Sequence, residues 1–316
     1  MSFAPPEVEP HGVHVVDTGF VRPHFDAAFL IVENGRGAFI ETGTTHSLPR
    51  LLEAVEHAGL TRDAVDYVIP THVHLDHAGG AGALMRELPN AKLVVHPRGV
   101  RHMIDPTQLL AGARAVYGDE EVARSYGEVP GVAVERVIAT ADGMTIELAG
   151  RPLRFLDTPG HAKHHHCIWD EASRSVFTGD TFGLAYRELQ TSRGASILIT
   201  TPPVQFEPEA WRESIGRLVA LDPRRVYVTH YGGVGDATRL ARELLRQIDA
   251  TAAIGEAARG ASDRQRRLCD GLAALYVERL RAQGVSLPDA ELEALISFDV
   301  ELNAKGVAIW LDRGQR

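Results

Sequence analysis

Four side chains able to hold a metal ion fall within six residues of this chain. They are His72, His74, Asp76 and His77, in the run Thr71-His72-Val73-His74-Leu75-Asp76-His77-Ala78-Gly79-Gly80. Neutral imidazole and carboxylate are ligands that zinc accepts and that iron and manganese tolerate. A histidine on its own is ordinarily a surface or satisfied core residue. Three of them beside an aspartate gain nothing from clustering unless a cation holds them together. Residues 65–70 (VDYVIP) are apolar and β-branched enough for a buried strand, so the ligands leave a strand end. On extended backbone His72 and His74 project to one side, while Asp76 and His77, on a tighter turn, point to a second position. The glycines that follow relax the backbone.

The same arrangement recurs three times. Asp157-Thr158-Pro159-Gly160-His161 follows the apolar run 153–156. Phe177-Thr178-Gly179-Asp180 ends the run 175–177, and Thr229-His230 ends 226–229. Each is a short apolar strand with a candidate ligand, His161, Asp180 or His230, on the loop at its end.

These segments, THVHLDH (71–77), TPGH (158–161), TGD (178–180) and TH (229–230), with IETG (40–43) before them, resemble the metallo-β-lactamase superfamily in order and spacing over about residues 12–235. The resemblance implies an α+β fold, a four-layer αββα sandwich, with a two-metal site between the edges of the sheets. It assigns His72, His74 and His161 to the first metal and Asp76, His77 and His230 to the second, with Asp180 bridging. Glu41 stands where many members carry Asp, and its extra methylene bears on its expected role as a brace behind the ligands. In His161-Ala162-Lys163-His164-His165-His166, only the first imidazole corresponds to a ligand. His165 matches a frequent supporting histidine, and His164 replaces a usual glycine, either protruding toward substrate or lying in solvent. The expected cofactors are two divalent ions, zinc first, with iron or manganese as alternatives.

Two such ions ~3.5–4 Å apart can hold a bridging hydroxide whose conjugate acid has a pKa near 7. That nucleophile would attack an ester, lactone or thioester, one ion polarising the target oxygen. Asp76 or Asp180 would pass a proton to the leaving atom, and Tyr186 and Arg187 are candidate substrate contacts. The segment THVHLDHAGG also looks like hydroxyacylglutathione hydrolases, but the tail has no basic pattern that matches glutathione recognition. A second reading is an iron-containing oxidoreductase of the same fold acting on oxygen, nitric oxide or persulfide. Its diiron flavoprotein branch usually carries Glu at the position of His74 and a flavodoxin domain. A third is an inactive, metal-stabilised binding protein.

The elements that must position these groups follow from the pattern. Residues 13–17, 27–32 and 38–41 read as strands, the last two joined by a hairpin turn at Asn34-Gly35. A helix spans 47–58 and another lies behind the metal turn, at 81–88. Residues 98–130 look helical and could form a lid beside the site. Short strands follow at 132–138, 144–148, 153–157, 166–169 and 175–178, then a helix at 211–221 and a strand at 225–229. Residues 1–10 read as a loose leader. Pro202-Pro203 stiffens the loop 181–206. The expected division is a catalytic domain at 1–235 and a C-terminal helical extension at 236–316. In the extension, helices run over 237–253, with Asp236 as N-cap and Gly255 as stop, over 262–283 and over 288–295, and 307–311 closes the chain. Its apolar face should pack on the main body, cover the mouth of the site or make a homodimer contact.

With 44% hydrophobic and 24% charged residues the chain has an ordinary globular composition. A net charge of −9 argues against nucleic acid as partner and leaves a small-molecule substrate. No run approaches the ~20 apolar residues that span a bilayer, so no membrane partner is expected. Two distant cysteines, Cys167 and Cys269, and an acidic, proline-rich start make the cytoplasm the expected location.

Overall fold

The computed structural model describes residues 3–201 and 205–313. Pro202 and Pro203 lie outside the described residues. Among those described, thirteen strands form two sheets. The first comprises β1 (Glu7–Glu9), β2 (Val13–Asp17), β3 (Ala27–Glu33), β4 (Arg36–Ile40), β5 (Val65–Ile69), β6 (Lys92–Val95) and β7 (Val137–Ala139), adjacent in that order. Its pairing is antiparallel from β1 to β4 and parallel from β4 to β7. Asn34 and Gly35 turn the β3–β4 hairpin with φ of 45° and 75°, as the sequence predicts. The expected loose leader is a partial exception. Glu7–Glu9 pairs with β2, and the Glu9 carboxylate takes bonds from Arg225 and the Tyr227 hydroxyl.

Helices α1 (Leu48–His57), α2 (Leu75–Ala78), α3 (Ala81–Glu87), α4 (Val100–Ile104), α5 (Thr107–Tyr117) and α6 (Asp119–Tyr126) connect the parallel strands. The second sheet holds β8 (Thr145–Leu148), β9 (Arg151–Asp157), β10 (His166–Asp170), β11 (Ser175–Gly179), β12 (Arg225–Val228) and β13 (Gly232–Val234), in the order β13-β12-β11-β10-β9-β8. Helix α7 (Pro208–Ala220) lies in the crossover between the parallel pair β11 and β12.

Strand periodicity explains the layering. On β3, Ala27, Phe29 and Ile31 face the second sheet, where Phe155, Ile168, Phe177 and Tyr227 meet them. The Phe29 ring lies 5.3 Å from Phe177 and 5.3 Å from Tyr227, which stack on each other at 4.6 Å. The alternate residues Ala28 and Leu30, with Phe39, Val68 and Leu93, face Leu51 and Val55 of α1 and Leu84 and Met85 of α3. Burying one such large side chain contributes about 1.5–3 kcal/mol.

The chain forms two compact units. One runs to Asp157 and takes in His164–Gly179 and Arg224–Gly233; the other comprises Thr158–Lys163, Asp180–Pro223 and the chain from Val234 onward. The second unit contains α7 and the long helices α8 (Ala237–Ala258), α9 (Arg264–Gln283) and α10 (Asp289–Arg313). Asp236 caps α8, its side chain accepting from Arg239 N, as the sequence predicts.

Two expectations for the tail need correction. Gly255 does not stop α8; a Cβ there would come within 2.8 Å of Val307 and 3.0 Å of Trp310, so the glycine lets α10 approach. Asp289–Arg313 is a single helix, α10, rather than separate segments at 288–295 and 307–311. Asp299 and Asn303 interrupt the apolar pattern in sequence yet are buried and partnered: Asn303 donates to Ile199 O (3.1 Å) and accepts from Thr201 N (2.6 Å), and Asp299 accepts from the Tyr186 hydroxyl (3.2 Å). A polar residue with a buried partner continues a core face.

Candidate metal centre

Strand β5 delivers the chain to Pro70 and Thr71, and the next residues carry the ligand run. His74 is extended (φ −64°, ψ 150°) and caps α2, its carbonyl accepting from His77 N and Ala78 N. Asp76 and His77 therefore sit on a helical turn. The loop after β4 clamps that turn: Thr42 N and Oγ1 donate to His77 O at 2.8 and 2.9 Å. Gly80 earns its place by size, since a Cβ there would meet Thr44 O at 2.6 Å.

Behind the ligands lies Glu41, fully buried and at φ 63°. Left-handed backbone at a non-glycine residue costs about 1–2 kcal/mol, which its contacts offset. Its carboxylate accepts from Thr71 N (3.0 Å), the Thr71 hydroxyl, the Thr229 hydroxyl (3.0 Å) and His77 Nδ1 (2.9 Å). Glutamate thus reaches the imidazole, and its oxygens are saturated by donors. It also comes within ligand range of His72 and His77.

Each bond fixes a tautomer. His77 Nδ1–H goes to Glu41, so Nε2 carries the lone pair, 3.7 Å from Asp76 Oδ2. His230 Nδ1–H goes to Phe25 O at 2.9 Å, and its Nε2 lies 3.8 Å from the same Asp76 oxygen. Asp76, His77 and His230 bring their ligand atoms within 4.8 Å of one another. The Thr71 hydroxyl, donating to Glu41, accepts from His72 Nδ1 at 3.1 Å. The His72 Nε2 lone pair then faces His74 Nδ1 at 2.8 Å, a distance that calls for a proton or a cation between them. Converging lone pairs and a carboxylate repel one another in a buried site, and a divalent cation relieves that repulsion. The donor set fits such an ion.

In the second unit, His161 Nδ1–H goes to Thr200 O at 2.9 Å and His161 Nε2 lies 3.3 Å from Asp180 Oδ2. Gly160 (φ 139°) presents His161, and a Cβ there would strike Trp211 at 2.4 Å.

The histidine-rich loop divides by environment. His165 is buried with its ring stacked on His72 at 4.8 Å. His166 donates from Nε2 to Pro70 O (3.0 Å) and accepts at Nδ1 from Thr140 (3.0 Å), so both its nitrogens hold the sheets together. Half-buried His164 takes the Val73 N–H at Nδ1 (3.5 Å), with its ring edge-on to His74 at 5.4 Å. Burial, then the neighbouring imidazoles, pushes the His164 pKa down to about 3. Tyr186 departs from the expected substrate contact: it is 1% exposed and donates to Asp299, which makes it a packing residue of α10. Arg187 opens the 3-10 turn Arg187–Leu189 and is half-buried.

Sequence reasoning missed Thr71 and Thr229, although each precedes a ligand in a Thr-His pair. It also missed Asp26, fully buried beside Phe25, whose carboxyl burial raises well above the usual range.

The profile of the metallo-beta-lactamase superfamily matches residues 21–230. The chain belongs to that superfamily, and its fold is the superfamily's α+β sandwich with a C-terminal helical region. The fold-containing protein ST1585 of Sulfurisphaera tokodaii is 26% identical over 242 residues, 75% of this chain and 84% of that protein. Its solved structure superposes with a TM-score of 0.65 at 21% identity, covering 95% of this chain and 99% of that one. A hydroxyacylglutathione hydrolase of Acidiphilium cryptum is 29% identical over 253 residues, 78% of this chain and 83% of its own length. An atrochrysone carboxyl ACP thioesterase of Aspergillus fumigatus is 28% identical over 152 residues, 48% of this chain and 36% of the thioesterase.

Proposed function

We propose that the chain is a binuclear metal-dependent hydrolase of an ester, lactone or thioester, with a small molecule as substrate. The observation that carries this reading is the shared orientation of His77, His230 and His161, each with Nδ1–H spent on an oxygen and Nε2 turned toward a carboxylate. The superfamily's pattern assigns His72, His74 and His161 to one ion, Asp76, His77 and His230 to the other, and Asp180 to both. Two divalent ions held there, zinc first with iron or manganese as alternatives, would supply a water acidified to near-neutral pKa and a polarised carbonyl. Asp76 and Asp180 would take up the proton and return it to the leaving group. Glu41 and the two threonines would hold the imidazoles neutral and aimed, with His165 packed behind His72. His164 and Arg187 are the proposed substrate contacts.

The names of two relatives, a hydroxyacylglutathione hydrolase and a thioesterase, support acyl hydrolysis. Net charge of −9 disfavours nucleic acid, and among the described residues no helix is long and apolar enough to cross a membrane. The reading places catalysis in residues 1–235 of a cytoplasmic protein, with 236–316 as a packed extension and a homodimer contact on its apolar face.

The test is elemental analysis of protein purified without added metal, with an absorption spectrum and a panel of lactones, esters and thioesters. About two equivalents of zinc, no colour and turnover on the panel are expected. Iron with visible absorption and no turnover would overturn the hydrolase and move the assays to oxygen, nitric oxide and persulfide.

A further inference from the structure

His161 is braced differently from His77. Its Nδ1–H goes to a main-chain carbonyl, Thr200 O, at 2.9 Å, so no side chain at position 200 sets that bond. Whatever fixes the buried segment 197–201 fixes it instead. Extended chain turns the polar groups of alternate residues to opposite edges. On one edge Leu198 exchanges two bonds with Leu184, each 2.9 Å, and Thr200 O meets His161. On the other edge two helix side chains stand in for a neighbouring strand. Gln247 of α8 accepts from Ile199 N at 3.0 Å and donates to Ile197 O at 2.8 Å. Asn303 of α10 donates to Ile199 O at 3.1 Å and accepts from Thr201 N at 2.6 Å. A carboxamide carries the same donor and acceptor as a peptide group. Both amides are fully buried and are themselves held. Gln247 also donates to Glu243 Oε1 at 3.2 Å, and Arg279 grips both Glu243 oxygens at 2.6 Å. Asn303 also donates to the Tyr276 hydroxyl at 2.7 Å. All of these residues belong to the second compact unit.

We propose that Gln247 and Asn303 are positioning residues for His161: through segment 197–201, the helical extension sets the tautomer and aim of this imidazole. The inference rests on the reading of His161 as a metal ligand and gives residues 236–316 a part in the site. With Nδ1–H held by Thr200 O, Nε2 keeps its lone pair, 3.3 Å from Asp180 Oδ2. Without the two amides, the N–H groups of Ile199 and Thr201 and the carbonyls of Ile197 and Ile199 are buried and unpaired. The segment then shifts to find partners, and Thr200 O moves with it.

Gln247→Met keeps the length of the side chain and removes the amide. Leu272→Ala, at a fully buried apolar position of α9, controls for lost stability alone. Zinc affinity is measured by chelator competition. A long-range proton–nitrogen NMR spectrum of the metal-free protein reads the His161 tautomer, assigned with His161→Ala. Gln247→Met should weaken zinc binding about tenfold and mix the two His161 tautomers, and Leu272→Ala should do neither, with melting temperatures reporting on folding. Should Gln247→Met not fold, Thr201→Val, which removes only the hydroxyl bond to Asn303 O, takes its place with a smaller shift in the same direction. An unchanged His161 tautomer would overturn the proposal. So would an equal loss of zinc affinity in Leu272→Ala, since stability alone would then govern the site. Zinc held by His161→Ala as tightly as by the wild type would sink the reading of His161 as a ligand; a tautomer that still responds to Gln247→Met would leave the positioning standing.

Discussion

Glu41 Oε1 accepts a hydrogen bond from His77 Nδ1 at 2.9 Å, and both side chains are fully buried. One carboxylate thereby sets the tautomer of a metal-facing imidazole and, through the Thr71 and Thr229 hydroxyls, ties together the loops that carry His72 and His230. Glu41→Gln keeps the shape and removes the charge. It should lower metal affinity about 10–100-fold, read by competition with a chromogenic chelator. Unchanged affinity would mean that the brace is only structural.

His72→Ala, Asp76→Ala and Asp180→Ala should each abolish hydrolysis and lower metal content. Full activity in all three would dismiss the metal mechanism. Lys163, whose ammonium meets Glu207 at 2.9 Å on the surface, provides the contrast. Lys163→Ala should be mild in both measurements.

His166 supplies a pH dependence. Burial, followed by the charge of His96, pushes its pKa from the ordinary 6.5 down to about 3. A depressed histidine pKa means that the unfolded chain binds the proton more readily. The stability from neutral His166 is thus intact above pH ~6.5 and is lost as pH falls toward 3, with a slope of up to about 1.4 kcal/mol per pH unit. His166→Gln should flatten that fall in denaturant titrations between pH 6.5 and 4. An identical slope in the variant would show that another group governs it.

Asn303 tests the helical tail. It is fully buried and bonds Thr201 N, Ile199 O and the Tyr276 hydroxyl. Asn303→Leu leaves those groups unpaired at about 1–3 kcal/mol each, so the melting temperature should drop by several degrees. No drop would mean that water replaces the amide.

The local pattern by itself determined most of the strands, the hairpin turn and the family, but not the edge strands Glu7–Glu9 and Gly232–Val234. Period-two alternation in 27–31 is a local property, as is the positive φ that Asn34 and Gly35 accept, and a ligand run of six residues needs no distant contact to be seen. The resemblance implied the order of candidate ligands from His72 to His230 because the matching segments fall in the superfamily's order along the chain. Tertiary structure alone decided the rest. Tyr186 looked available beside Asp180, but burial against Asp299 of α10, 113 residues away, takes its hydroxyl. The local pattern carried the last helix only over 288–295, whereas α10 runs on through Asp299 and Asn303, whose polar side chains are buried with partners. Gly255 looked like a stop until the approach of Trp310 gave it another reason to be small. In each case a side chain's role is set by a neighbour distant in sequence, and local pattern carries no record of that neighbour.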